Sequence, residues 1–71
     1  MANSVYKIIE LVGTSPKSWE DAAKSAVETA SKSLKELRIA EVTKMDMTIE
    51  NGKVTSYRTR LTVSFKYVKG E

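Results

Sequence analysis

One stretch of the sequence, residues 18–37, constrains the fold most, because its apolar residues recur at steps of three and four. This spacing predicts one amphipathic helix over 18–37. Ser18 followed by Asp21 is typical of a helix start, and Pro16 suits the turn before it. The stripe is rich in alanine, so we expect a flat β-sheet to approach it closely. Its members are Trp19, Ala22, Ala23, Ala26, Val27, Ala30, Leu34 and Leu37.

Three strand patterns surround this helix, which predicts one α+β domain over residues 1–71 with the order β-α-β-β. The first strand covers 4–12, is apolar on both faces and ends at the run Gly13-Thr14-Ser15-Pro16. Arg38 is the expected hinge into the second strand, 39–50. Asn51-Gly52 is a strong signal for a hairpin turn, and the third strand follows over 53–68.

The third strand alternates cleanly, so its two faces can be assigned. We expect the helix to cover its apolar set, which is Tyr57, Thr59, Leu61, Val63, Phe65 and Tyr67. A two-residue turn at Asn51-Gly52 pairs Glu50 with Lys53 and fixes the remaining register. That register places Val42 opposite Leu61 and Ala40 opposite Val63 on the helix-covered face. On the other face it predicts the pairs Met45 with Arg58, Thr43 with Arg60, and Ile39 with Ser64.

Composition excludes several kinds of chemistry. The chain has no cysteine and no histidine, so it lacks disulfides, thiolate nucleophiles and the commonest general base. No phosphate-binding glycine loop is present either, and we do not expect an enzyme. The net charge is +3, but the lysines and arginines are interspersed with acidic residues along the chain. This distribution argues against nucleic-acid binding. No apolar run has the length of a membrane span or signal peptide, and we expect a cytoplasmic protein.

The length of the hairpin predicts self-assembly. The third strand should extend about 45 Å at roughly 3.3 Å per residue, and the helix only about 30 Å at roughly 1.5 Å per residue. Apolar side chains near the turn would therefore be exposed in a monomer, which marks an interface or a ligand site. These side chains are Met45, Met47, Ile49 and Tyr57.

Nearly the whole chain resembles the dodecin family. The resemblance is carried by the first strand with its Gly13-Thr14-Ser15 exit, by the alanine-rich helix, by the Ile39-Ala40-Glu41-Val42 run and by the long final strand. It implies a three-stranded antiparallel sheet that partly wraps one helix, and twelve copies in a hollow shell. It also implies a flavin-binding or flavin-storing protein, whose ligand is riboflavin, FMN or FAD, bound where subunits meet.

Two positions differ from the flavin clamp of that family. The clamp uses a tryptophan immediately before the Ala/Phe-Glu-Val run, at the position of Ile39 here, and a glutamine in the last strand, where this sequence has Arg58. Aromatic stacking adds roughly 0.5–1.5 kcal/mol beyond area burial, so we expect weakened flavin binding. Trp19 is not a substitute for the clamp tryptophan, because it belongs to the helical stripe and should pack in the core or at an interface. The candidate site residues are Ile39, Glu41, Met45, Arg58 and Arg60.

Calcium, or a shell without any ligand, is the alternative. The chain is similar to a branch of the family that lacks the tryptophan and is associated with calcium. Its carboxylates have the hard oxygen chemistry that calcium prefers, although they could equally be solvated or paired, as Glu41 could be with Arg60. Arg58 and Arg60 could hold an anionic ligand group or form salt bridges between subunits. The carboxylates in question are Glu10, Glu41, Asp46 and Glu50.

Overall fold

The computed structural model describes residues 3–66 and shows one helix lying on one face of a three-stranded antiparallel sheet. The elements are β1 (Tyr6–Ser15), α1 (Trp19–Ala30), β2 (Leu37–Glu50) and β3 (Lys53–Lys66), and the strand order is β1-β3-β2. The predicted fold class is confirmed. Tyr67 and Val68, which the sequence analysis placed at the end of β3, lie outside the described residues.

The core lies between α1 and the central strand β3. Leu61, Val63 and Thr59 are almost fully buried, and so is Ala22 of the helix. These β3 residues belong to the set predicted to lie under the helix. Burying an aliphatic side chain of this size contributes about 1.5–3 kcal/mol, so a core this small leaves a marginally stable unit.

Gly13 lies inside β1 and marks the closest approach of the helix. A Cβ atom built at Gly13 would clash with the carbonyl oxygen of Ala22 and lie 3.0 Å from the Cβ of Ala26. The prediction that β1 ends at Val12 is wrong. The strand continues through Ser15, and Gly13 within it pairs with Thr59. The glycine serves packing against the helix and is not the start of a turn.

The start of α1 is fixed by side-chain capping. Ser18 has an extended backbone, and its Oγ accepts a hydrogen bond of 3.0 Å from the Asp21 N–H, as the sequence predicted. The Asp21 carboxylate accepts a 2.7 Å bond from the Ser15 hydroxyl, which also accepts from the Lys17 N–H at 2.9 Å. The end of β1 is thus tied to the first turn of α1.

The helix ends at Ala30, so the prediction that it continues to Leu37 is wrong. Ser31 follows, and its hydroxyl donates to the Glu28 carbonyl at 2.8 Å, a local bond that competes with the helical pattern. The last turn carries no basic residue, and the negative charge of Glu28 opposes the helix dipole there. Leu34 and Leu37 continue the helical spacing, although Leu34 lies in the connection and Leu37 begins β2.

The connection to β2 turns at Glu36 and not at the predicted hinge, Arg38. Glu36 has a φ of 62°, a left-handed conformation that is costly for a residue other than glycine. Its carbonyl accepts from the Lys66 N–H at 3.2 Å, and its carboxylate pairs with Arg38 at 2.6 Å. These bonds hold the turn in place.

The hairpin turn is confirmed at Asn51 and Gly52, whose φ values of 53° and 76° are those of a type I′ turn. The register is regular only in part. Glu50 pairs with Lys53, Val42 with Leu61, Ala40 with Val63, and Ile39 with Ser64, as predicted.

Three bulges interrupt this hairpin, and they leave Arg38, Thr43 and Thr55 without a partner across the strands. Between the last two, the pairing is shifted by one residue from the predicted register. The predicted pairs of Met45 with Arg58 and Thr43 with Arg60 are therefore wrong. The observed pairs there are Met45 with Thr59, Asp46 with Arg58, and Lys44 with Arg60.

Candidate functional site

The face of the sheet opposite α1, here called the bare face, carries most of the predicted site residues. Residues that pair across antiparallel strands share a face, so the register defines rows of side chains in the order β1, β3, β2. The four complete rows are Thr14–Arg58–Asp46, Val12–Arg60–Lys44, Glu10–Thr62–Glu41 and Ile8–Ser64–Ile39. The bare face thus changes from charged at one end to apolar at the other.

Four of the five predicted site residues lie on this face, and Met45 does not. Ile39, Glu41, Arg58 and Arg60 occupy its rows. Met45 pairs with the buried Thr59 and lies on the helix side, because the bulge at Thr43 reverses the direction of the side chains that follow. The expectation that Met45 lies beside Arg58 is corrected.

Within one chain, Ile39 and Arg58 are far apart. Ile39 lies in the row of Ser64, which is about 20 Å from Arg58 along β3 at roughly 3.4 Å per residue. One protomer therefore cannot bring these two side chains to the same small ligand, and a shared site needs a second copy.

The charged end of the bare face is organised by the ion pair of Arg58 with Asp46. The Arg58 Nε and Nη2 atoms donate to the two carboxylate oxygens of Asp46 at 2.7 and 2.8 Å, a bidentate arrangement. The hydrogen bond from Arg58 lowers the pKa of Asp46, and the charges of Arg58 and Arg60 lower it further. The same hydrogen bond raises the pKa of Arg58.

A depression of ≈ 190 Å³ lies beside this pair, lined by Val12, Lys44, Asp46, Arg58 and Arg60. The two arginines were predicted site residues, whereas Val12 and Lys44 were not predicted to be their neighbours. The sequence carries no signal that places Lys44 opposite Arg60, because this pairing depends on the bulge at Thr43, whose hydroxyl donates to the Arg60 carbonyl at 3.2 Å.

The middle row of the bare face holds two carboxylates, Glu10 and Glu41, on either side of Thr62. Among residues 3–66 the salt bridges do not include the suggested pair of Glu41 with Arg60. The described part of the chain also contains no group of three or more metal-ligating side chains. A cation site inside a single protomer is therefore not formed by these residues.

A second apolar surface lies at the hairpin end, on the helix side beyond the first turn of α1. We call it the distal strip, and it consists of Trp19, Met45, Met47, Ile49, Val54 and Tyr57. Its four aliphatic and thioether side chains are between 43% (Met47) and 64% (Ile49) exposed. The strip remains uncovered because α1 has only 12 residues, about 18 Å at roughly 1.5 Å per residue.

Trp19 fixes the inner end of the distal strip. Its indole N–H donates to the Asp46 carbonyl at 2.9 Å, and its ring meets that of Tyr57 edge to face at a centroid distance of 5.0 Å. The Thr59 hydroxyl donates to the Trp19 carbonyl at 2.9 Å. These contacts agree with the expectation that Trp19 packs in the core or at an interface.

Another depression, of ≈ 340 Å³, runs between α1 and β1. It is lined mostly by small residues, among them Gly13, Ala26 and Ala30, and contains no predicted site residue.

No helix within residues 3–66 is long and apolar enough to cross a membrane.

Comparison with known proteins gives one consistent family. The model of the dodecin family matches residues 5–68. Calcium dodecin of Mycobacterium tuberculosis is 48% identical over 63 residues, which cover 89% of this chain and 89% of the relative. Dodecin of Thermus thermophilus is 40% identical over 62 residues, covering 87% of this chain and 90% of the relative.

Solved structures agree with these relatives. Dodecin from Streptomyces coelicolor superposes with a TM-score of 0.92 at 36% identity, covering 99% of this chain and 100% of that one. Calcium dodecin from Mycobacterium tuberculosis, described with a novel calcium-binding site, gives 0.82 at 46% identity and covers 96% and 97%. The order of the elements, the single helix on the sheet and the family match lead to one conclusion: the chain belongs to the dodecin family.

Proposed function

We propose that this chain is a non-enzymatic binding protein that assembles into a hollow dodecamer and holds a small ligand where its copies meet. The distal strip supports assembly most directly, because apolar side chains exposed to this extent on one contiguous surface mark an interface. The large separation of Ile39 from Arg58 supports a ligand site shared between copies. The cytoplasmic location remains a prediction.

Calcium is the ligand we place first. Support comes from the relative of 48% identity, which is named calcium dodecin and whose solved structure is described with a calcium-binding site. Calcium takes six to eight oxygen ligands, more than a single copy gathers among its described residues. The proposed site therefore draws carboxylates from two or more copies, with Glu10 and Glu41 of the bare face as the first candidates.

Flavin is the second candidate, and the bare face is the observation that favours it. The apolar end of one copy could receive a planar ring, and the charged end of a second copy could receive the phosphate of the same ligand. Two features weaken this site: Ile39 offers no aromatic face, and Arg58 is already engaged by Asp46. We therefore expect riboflavin or FMN to bind weakly.

Calorimetric titration with calcium, at fixed ionic strength and with magnesium as the reference, tests the first candidate. We expect calcium to bind and to raise the melting temperature, and Glu41→Gln and Glu10→Gln to weaken the binding. Glu20→Gln, on the exposed side of α1, is the matched control and should bind normally. Equal binding of calcium by all variants would remove the two glutamates from the site.

Quenching of flavin fluorescence tests the second candidate independently. Riboflavin and FMN are titrated with protein at micromolar concentration, where we expect little quenching. The double variant Ile39→Trp with Arg58→Gln should quench strongly, because it supplies the stacking surface that is missing. Strong quenching by the unaltered chain, without any response to calcium, would reverse the order of the two candidates.

A further inference from the structure

The two basic residues Lys44 and Arg60 face each other across β2 and β3 on the bare face. They form one row with Val12 of β1, and the row of Arg58 and Asp46 lies directly beside them. All five residues line the depression of ≈ 190 Å³. The depression therefore contains three cationic side chains and a single carboxylate.

That carboxylate, Asp46, is fully engaged in its ion pair with Arg58. Both oxygens of Asp46 accept from its guanidinium, so the charge of Arg58 is balanced and its plane is fixed. Arg60 and Lys44 take part in neither of the salt bridges formed within residues 3–66. Like charges opposite each other destabilise an antiparallel pair, and an anion between them would relieve the repulsion.

The surroundings limit which anion could bind. Asp46 bounds the row on one side, and the row of Glu10 and Glu41 bounds it on the other. A long polyanion such as a nucleic acid would meet these carboxylates and be repelled. A compact group with several negative oxygens fits between them, because the guanidinium fork of Arg60 can hold two oxygens and the Lys44 ammonium a third.

We propose that Arg60 and Lys44, held beside the Arg58–Asp46 pair, bind a small multiply charged oxyanion of the phosphate type. The anion is either free phosphate or the phosphate of a larger ligand. Where the anion is the phosphate of a larger ligand, this inference rests on the flavin candidate proposed above, whereas binding of free phosphate requires neither calcium nor a flavin ring. Arg58 and Asp46 act as positioning residues that keep the depression open and its wall rigid.

The test is calorimetric titration of the assembled full chain with inorganic phosphate and diphosphate at constant ionic strength, with chloride as the reference anion. We expect binding that Arg60→Gln weakens about tenfold or more, since hydrogen bonds to a charged group are lost. Lys44→Gln, at an exposed position, should also weaken it. Lys24→Gln removes the same charge from the exposed side of α1 and should bind phosphate normally.

Three results would overturn the proposal: no binding of either anion, unchanged binding in both Arg60→Gln and Lys44→Gln, or an equal loss in Lys24→Gln. Calcium titration of the same variants keeps the two proposals separate, because these substitutions should leave calcium binding intact. Displacement of phosphate by FMN, but not by riboflavin, would identify the phosphate of a larger ligand as the source. Binding of free phosphate without displacement by FMN would identify the free anion.

Discussion

Gly13 is the residue on which the packing of helix against sheet depends most sharply. Gly13→Ala should destabilise the fold by about 1–3 kcal/mol, the range for overpacking, because the new methyl group meets the backbone of Ala22. Thr14→Ala, the neighbouring position on the bare face, is the control and should change stability by less than about 0.5 kcal/mol. Urea unfolding measures both, and equal stability of the two variants would contradict the close approach.

Asp46 makes stability depend on pH in the acidic range. Its pKa in the folded state is lowered by the Arg58 hydrogen bond, so folding is favoured above the unfolded-state pKa, about 3.9. This contribution is lost as the pH falls below that value and through the lower pKa of the folded state. Melting temperatures at a series of pH values should therefore fall more steeply in the wild type than in Asp46→Asn. Parallel curves for the two proteins would show that the ion pair contributes nothing.

At the scale of elements, Trp19 connects the start of α1 to the edge strand β2. Trp19→Phe keeps an aromatic ring but removes the bond to the Asp46 carbonyl, and it should lower the free energy of unfolding by about 1 kcal/mol. Tyr57→Phe keeps the ring contact with Trp19, loses only a hydroxyl and should be nearly neutral. Thermal unfolding followed by circular dichroism distinguishes the two. A neutral Trp19→Phe would mean that the bond adds nothing to stability.

The order and type of the elements could be predicted from sequence because each rests on a local signal. The alternation in β3, the Ser18 cap and the Asn51-Gly52 turn all act over a few residues, and the structure contains each of them. The end of the helix could not be predicted from periodicity. Leu34 and Leu37 fit the helical spacing by coincidence, and the serine-rich segment after Ala30 favours local bonds instead.

The candidate site was predictable in its general location but not in its detailed composition. Ile39, Glu41, Arg58 and Arg60 follow the parity of β2 and β3 and lie on the bare face. The position of Met45 was wrong because bulges carry no reliable signal in a single sequence, and one extra residue reverses every side chain beyond it. The role of Gly13 could not be predicted, because it depends on how closely α1 approaches β1. Strand and helix patterns in a sequence do not give that distance.

For the whole molecule, self-assembly should depend on the distal strip. Ile49→Asp places a charge at the outer end of the strip and should shift the mass seen by sedimentation velocity towards smaller species, because a buried charge without a partner opposes association. Asn51→Asp is the matched control, since it adds the same charge at the hairpin tip, outside the strip, and Asp-Gly suits the same turn. A chain that sediments as a stable monomer before any substitution would contradict the proposed assembly.

The protomer is elongated, 55 × 20 × 14 Å, and α1 covers only part of its length. The covered and uncovered parts should differ in how well their backbone amides are protected from deuterium exchange. Beneath α1, the strands surround Leu61 and Val63, so the amides there should exchange with deuterium slowly even after dilution. The distal half of the hairpin has no such cover of its own. Its amides should exchange slowly only while neighbouring copies are present, so dilution should loosen the tip of each subunit long before its core.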